Sequence, residues 1–243
     1  MSAWLWRIFL IWYSVGVVLV AFDLVPPALE WANAVFLYLA GLIGAVYLVK
    51  RFGMRKGILL SLFIIIWSIS VESFGAKTGL IFGEYHYEKD FGVHLLGVPI
   101  TIGFAWLMVI TTGLALISPQ SKQKSPGYPL LASLLAVAMD LVIDPVAFHL
   151  KQYWIWEEGG LFMEIPTQNF IGWFFTALSI HLVLYPFIGR ETNAEPIHEK
   201  RAQILYGLMI LMFAITSFVG GIGLAAVLSI LLAAVTLSGA RYV

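Results

Sequence analysis

Apolar residues gather along this chain into long stretches separated by short polar breaks, at 3–21, 31–49, 57–74, 98–117, 129–149, 169–188, 202–219 and 222–238. Each is close to the roughly 20 residues that an α-helix needs to cross the hydrocarbon of a bilayer. The pattern predicts an all-α, polytopic transmembrane helical bundle of about eight spans, a single integral membrane domain over 1–243. Only Gly220-Gly221 divides the last two stretches, and seven spans result if they merge. Arg7 is the one early charge and no small-x-small site follows the first run, so that run reads as an uncleaved helix rather than a signal peptide.

Charge adds an orientation. The formal net charge is zero, but the signs are segregated. With eight spans, both termini share a face with the links 50–56, 118–128 and 189–201. That face collects Arg7, Lys50, Arg51, Arg55, Lys56, Lys122, Lys124, Arg190, Lys200, Arg201 and Arg241, leaving Lys77, Lys89 and Lys151 opposite. The opposite face carries Asp23, Glu30, Glu84, Glu88, Asp90, Glu157, Glu158 and Glu164. The positive-inside rule therefore predicts a multi-pass cell-membrane protein with both termini cytoplasmic and the loops 75–97 and 150–168 extracytoplasmic.

Composition narrows the chemistry. The chain is 60% hydrophobic and 12% charged, with a mean hydropathy of +0.91, outside the soluble range. It has no cysteine, which excludes disulfides, thiolate nucleophiles and iron–sulfur sites. No basic patch is interleaved with exposed aromatics, so no nucleic-acid partner is expected. The five histidines form no H-x-x-H or H-x-x-x-H box, unlike those of membrane di-iron oxygenases. No lysine lies inside a span, which removes a retinal Schiff base.

Three carboxylates do lie in the apolar stretches: Glu72, Asp140 and Asp144. An acid at the centre of a spanning helix costs roughly 2.5–3.5 kcal/mol on insertion scales, so each is a functional candidate. Asp140 and Asp144 are four apart and share a helix face. Two carboxylates that close cannot both ionise cheaply in a low dielectric, and the pair is expected to hold a proton. Plainer roles compete. Asp144 precedes Pro145, which suits a helix N-cap; Asp140 would hydrogen-bond a neighbouring helix; Glu72, ending the run Ile64–Val71, would snorkel to the surface. Asn169, opening span 6, would cap its helix or orient an acid or water. His181, mid-span, reads as a packing partner.

The segment from span 3 to span 4 echoes that from span 5 to span 6. Glu72 is followed by Tyr85-His86-Tyr87, Pro99 and Trp106; Asp144 by Trp154-Ile155-Trp156, Pro166 and Trp173. The proline-to-tryptophan interval is seven positions both times. Such an echo suggests a parallel internal repeat of spans 3–4 and 5–6, its two acids facing a shared cavity. The intervening loops are long and hold Phe82, Tyr85, Tyr87, Phe91, Trp154, Trp156 and Phe162. They are expected to fold back as a lid, the alternative being an interfacial aromatic belt.

These strings are recognisable together. Glu72-Ser73-Phe74-Gly75-x-x-Thr78-Gly79, Phe82-Gly83-x-Tyr85-x-Tyr87, Gly97-Val98-Pro99 and Asp140-x-x-x-Asp144-Pro145 resemble the membrane carotenoid biosynthesis protein family. So do Trp154-x-Trp156 and Ile165-Pro166-x-x-Asn169-Phe170-x-Gly172-Trp173. The resemblance covers about 65–185, and the flanking spans match only in hydrophobicity. Asp140-x-x-x-Asp144 also resembles one of the two Asp-rich motifs of intramembrane prenyltransferases. A second such motif and basic residues to grip a diphosphate are missing.

The resemblance implies a carotenoid 1,2-hydratase, adding water to the terminal isoprene double bond of a linear carotene drawn from the membrane lipid. A carboxylic acid would protonate C2, and water would capture the tertiary cation at C1. No redox change occurs, so neither cofactor nor metal is expected. Asp140 and Asp144 would supply the proton and Glu72 would take one from the attacking water. Tyr85, Tyr87, Trp154 and Trp156 would line the site and steady the cation, with Thr78, Asn169 and Trp173 as further substrate contacts. Association with other carotenoid enzymes is an added expectation. Three readings compete: a carotenoid end-group cyclase sharing the protonation step, a proton-coupled transporter, and a carotenoid-binding membrane protein.

Overall fold

The computed structural model describes residues 2–89, 91–117, 125–189 and 195–240; Asp90, Lys122, Lys124, Arg190 and Arg241, counted in the charge pattern, lie outside them. Among the described residues are eight α-helices: α1 (Ser2–Ala21), α2 (Trp31–Phe52), α3 (Met54–Thr78), α4 (Ile100–Ile117), α5 (Tyr128–Pro145), α6 (Thr167–Leu184), α7 (Pro196–Val219) and α8 (Gly223–Gly239). Seven helical segments among the described residues are long and apolar enough to cross a membrane, and α8 falls just short at 17 residues. The protein is an all-α polytopic membrane bundle. Gly220-Gly221 does interrupt the last apolar run: Gly221 adopts φ +79°, and a new helix starts at Gly223.

The bundle is built around α4 and α5. Of the 18 residues of α4, 13 are buried, under α2, α3, α5 and α7. Helix α5 packs on α4, α6, α7 and α8, whereas α1 is peripheral and lies on α2 and α7. In a bilayer, lipid tails are as apolar as leucine, so helices associate through close packing and interhelical hydrogen bonds. Both devices are present. Gly41 and Gly44 let α2 approach α4 so closely that a Cβ would stand 2.6 Å from the Phe104 carbonyl oxygen or 2.4 Å from Thr111 Oγ1. The hydroxyls of Tyr13, Tyr206 and Ser229 donate to the carbonyls of Leu208, Leu135 and Ala138 on neighbouring helices.

Two departures from the sequence reading shape the site. Asp144 is not an N-cap: α5 runs through Pro145, and the chain continues in a π-helical turn, Val146–Leu150, with no side-chain cap. The wider turn accommodates the proline without ending the helix. The two long connections also contain strands. Strand β1 (Tyr85–Tyr87) from the first pairs antiparallel with β4 (Trp154–Trp156) from the second. Tyr85 stands opposite Trp156, His86 opposite Ile155 and Tyr87 opposite Trp154. A second small sheet joins β2 (His94–Leu95) to β3 (Val98–Pro99) around Leu96-Gly97, both left-handed. Met163-Glu164 forms a similar left-handed turn, closed by Ile165 N–H donating to Phe162 O.

The α1–α2 turn leans over this end of the bundle. Ring contacts Phe9–Phe36 and Trp12–Trp31 set the start of α2 beside the middle of α1, so the last turns of α1 project beyond it. Two ion pairs tie the turn to the long connections: Lys151 Nζ to Asp23 Oδ1 at 2.8 Å and Lys89 Nζ to Glu30 Oε1 at 2.9 Å.

Candidate active site

Side chains alternate across a strand, so the β1–β4 register places Tyr85, Tyr87, Trp154 and Trp156 on one face and His86 and Ile155 on the other. His86 is exposed, with Glu157 2.7 Å from its ring nitrogen. The four aromatic residues form a roof. The Tyr85 ring lies 5.0 Å from that of Trp156 and 5.6 Å from that of Tyr87, and Tyr87 meets Trp154 edge-on at 6.5 Å. Beneath them is a cavity of about 1400 Å³, counting its open part. Helices α1 to α7 all contribute to its wall, which is otherwise almost wholly apolar.

Glu72 reaches this cavity from within α3, more than a turn before the helix ends, and it is buried rather than snorkelling. Both its oxygens are engaged: the Tyr85 hydroxyl donates to Oε2 at 2.6 Å and Trp106 Nε1–H to Oε1 at 3.0 Å. Trp106 in turn stacks on Trp173 with centroids 4.4 Å apart. Burial, reinforced by the Glu72 charge, pushes the Tyr85 and Tyr87 phenols well above their ordinary value. Both are therefore neutral at physiological pH, and Tyr85 acts as a hydrogen-bond donor.

Asp144 enters from α5. Trp154 Nε1–H donates to its Oδ1 at 2.6 Å, and the Asn169 amide donates to its Oδ2 at 2.6 Å. The same Asn169 nitrogen donates to Asp140 Oδ2 at 2.8 Å. One amide thus holds both aspartates. Asn169 sits in the first turn of α6, behind an N-cap at Pro166, and its side chain points across to α5 rather than capping. Asp140 is fully buried behind Asp144, off the cavity wall, and its Oδ1 has no hydrogen-bond partner among the described residues. Trp156 Nε1 is buried too, with no partner in good hydrogen-bond geometry among the described residues.

The fold therefore gathers Glu72, Asp144, Asn169, Tyr85, Tyr87, Trp154, Trp156 and Trp173 around one space, with Asp140 one layer back. Thr78 is not brought in: it is exposed and donates to the Phe74 carbonyl of its own helix at 2.7 Å. His181 is buried at the other end of α6, where Nδ1 lies 2.7 Å from the Tyr128 hydroxyl. Sequence reasoning did not place Trp106 as the partner of Glu72, although its interval from Pro99 marked it. It also missed Asn33 and the walls from α1, α2 and α7, among them Trp12, Phe36 and Met212. Nothing but hydrophobicity distinguishes those helices. Among the described residues, no cluster of three or more His, Asp or Glu side chains is arranged to hold a metal ion.

Fold and site together define an integral membrane protein that sets buried carboxyl groups against a large apolar chamber. Residues 32–238 match the carotenoid biosynthesis protein family, and the chain belongs to it. The match reaches well beyond 65–185 to include α2, α7 and nearly all of α8. A curated relative, the bisanhydrobacterioruberin hydratase of Haloarcula japonica, is 33% identical over 126 residues, 50% of this chain and 42% of the relative. The alignment thus spans less than half the length of that relative. No solved structure matches the chain.

Proposed function

We propose that this protein is a carotenoid hydratase that adds water across the terminal isoprene C1–C2 double bond of a linear carotene. The observation that carries this reading is the convergence of Glu72 and Asp144, from different helices, on one apolar chamber roofed by tyrosine and tryptophan. The hydratase name of the Haloarcula japonica relative supports it.

In the proposed reaction the carotene end enters from the lipid and lies under the roof. The Asp140/Asp144 pair holds one proton, since two buried carboxyls on a single amide nitrogen cannot both ionise cheaply. Asp144 borders the chamber and delivers the proton to C2; Asp140 stands behind it as a positioning residue. The C1–C2 π electrons form the new C–H bond and leave a tertiary cation at C1. The faces of Tyr85, Tyr87, Trp154 and Trp156 stabilise that cation by about 0.5–2 kcal/mol each when desolvated. Water attacks C1, and Glu72, held by Tyr85 and Trp106, takes its proton. The product is a tertiary alcohol, and no electrons are exchanged. Asn169 and Trp173 fix the acid pair and the Trp106 indole; Thr78 plays no part. The reading places the protein in the cell membrane with both termini cytoplasmic and the strand-bearing end extracytoplasmic, where water is at hand.

Expression beside a linear carotene synthase tests it. Extracted pigment should be heavier by one water per reacted end with the wild type and unchanged with Asp144→Asn. A cyclised pigment of unchanged mass would favour a cyclase, and unaltered carotene with the wild type would overturn the proposal.

A further inference from the structure

We infer that the polyene chain of the substrate leaves the acids along α1 and passes over Gly16, whose missing side chain sets the clearance for that chain. This rests on the hydratase reading above and adds a specificity-determining position.

The acids engage only the end of a long guest, so the remainder must lie somewhere apolar. Away from Glu72 and Asp144 the chamber runs towards α1 and the α1–α2 turn, where Trp12, Leu19, Val20, Val25 and Leu29 line it. On α1, Trp12, Gly16 and Val20 recur every four residues and share the face turned to the chamber. Trp12 cannot swing aside freely, because its Nε1–H donates to the Ala32 carbonyl at 3.2 Å. One turn further on the wall recedes: a Cβ placed on Gly16 would meet no atom within 4 Å. A side chain there has open chamber in front of it.

The opposite face of α1 carries exposed Ile8, Ile11, Val15 and Val18, the signature of a helix against lipid. The α1 wall is thus one helix thick, with bilayer behind it and the chamber in front. Asn33 is the polar exception on this side, and it lies at the start of α2. The adjoining wall from α7 includes Met209 and Met212, whose unbranched side chains adapt to a flexible guest.

The test is a size series at position 16, Gly16→Ala, Gly16→Leu and Gly16→Phe, with Gly207→Phe as the control. Gly207 is exposed on α7, also has open space at its Cβ and does not line the chamber. Each variant is assayed with a full-length linear carotene and with a short linear isoprenoid ending in the same group. Hydration of the long substrate should fall with side-chain size, by roughly tenfold or more for Gly16→Phe, on the scale by which pockets discriminate small increments of bulk. The short substrate should be converted about as well as by the wild type, and Gly207→Phe should leave both unchanged. Equal turnover of the long substrate by wild type and Gly16→Phe would overturn the inference. So would a parallel loss on both substrates, which would mark Gly16 as a structural position. A wild type that hydrates neither substrate would sink the hydratase reading itself, a result distinct from any pattern among the variants.

Discussion

Asn169→Ala is the perturbation on which the site's architecture bears most heavily. The substitution removes one amide nitrogen and with it two hydrogen bonds, to Asp140 Oδ2 and Asp144 Oδ2. Interhelical hydrogen bonds in bilayers average about 0.6 kcal/mol in double-mutant cycles, which sets a loss near 1 kcal/mol if both carboxyls are neutral. Bonds to a charged partner contribute about 1.5–3 kcal/mol each, so a pair sharing one proton and one negative charge raises the expected loss to about 3 kcal/mol. Asp140 matters to the arithmetic because its Oδ1 already has no partner among the described residues, and loss of the amide strips the other oxygen too. Reversible unfolding in detergent, by heat or denaturant, measures the difference. A cycle with Asp140→Asn isolates the coupling, which should be at least about 1 kcal/mol for residues in one network. Additive effects, or a loss well under 1 kcal/mol for Asn169→Ala, would refute the claim that this amide holds a charged pair.

Other expectations follow from single contacts. Tyr85→Phe strips a buried oxygen of Glu72 of its 2.6 Å donor and should destabilise the protein by about 1–3 kcal/mol in the same unfolding assay. Gly160→Ala would place a Cβ 1.7 Å from the Ile165 carbonyl oxygen, so the loop before α6 must rearrange; limited proteolysis should cut the variant there and spare the wild type. Asp23 is held below the ordinary carboxylate range by its hydrogen bond to Lys151 and by that residue's charge. A depressed acid contributes stability above its unfolded value and loses it as pH falls through the folded one. Asp23→Asn should therefore cost up to about 1 kcal/mol near neutrality, because the carboxyl is largely exposed. The difference from wild type should fade in acid below the usual Asp range and in high salt.

Much of the fold is legible in hydropathy, because a bilayer permits few alternatives to a run of apolar helix. The break at Gly220-Gly221 shows in the sequence for the same reason. Asp144-Pro145 does not: the residue before a proline avoids helical geometry in general, and only the following π-helical turn makes the helix continuous. The strands are hidden for another reason. Tyr85-His86-Tyr87 and Trp154-Ile155-Trp156 are three residues each, too short for alternation to register, and become strands only because they pair with one another. The acids could be singled out by the cost of burying them, and their number and helix face were readable. Their partners were not: that one asparagine spans Asp140 and Asp144, or that Trp106 reaches Glu72, depends on how α5 meets α6 and α3 meets α4. Thr78 illustrates the converse, a polar residue within a recognisable string that the end of α3 leaves on the outside.

The central claim is that water adds to a carbocation made by a buried carboxyl group. Running the reaction in oxygen-labelled water with a linear carotene tests it most directly, by mass spectrometry of the product. The label should appear in the tertiary hydroxyl with the wild type, and Asp144→Asn, folded and inserted, should form no labelled product. A hydroxyl oxygen that comes from elsewhere, or full labelling by Asp144→Asn, would contradict the account.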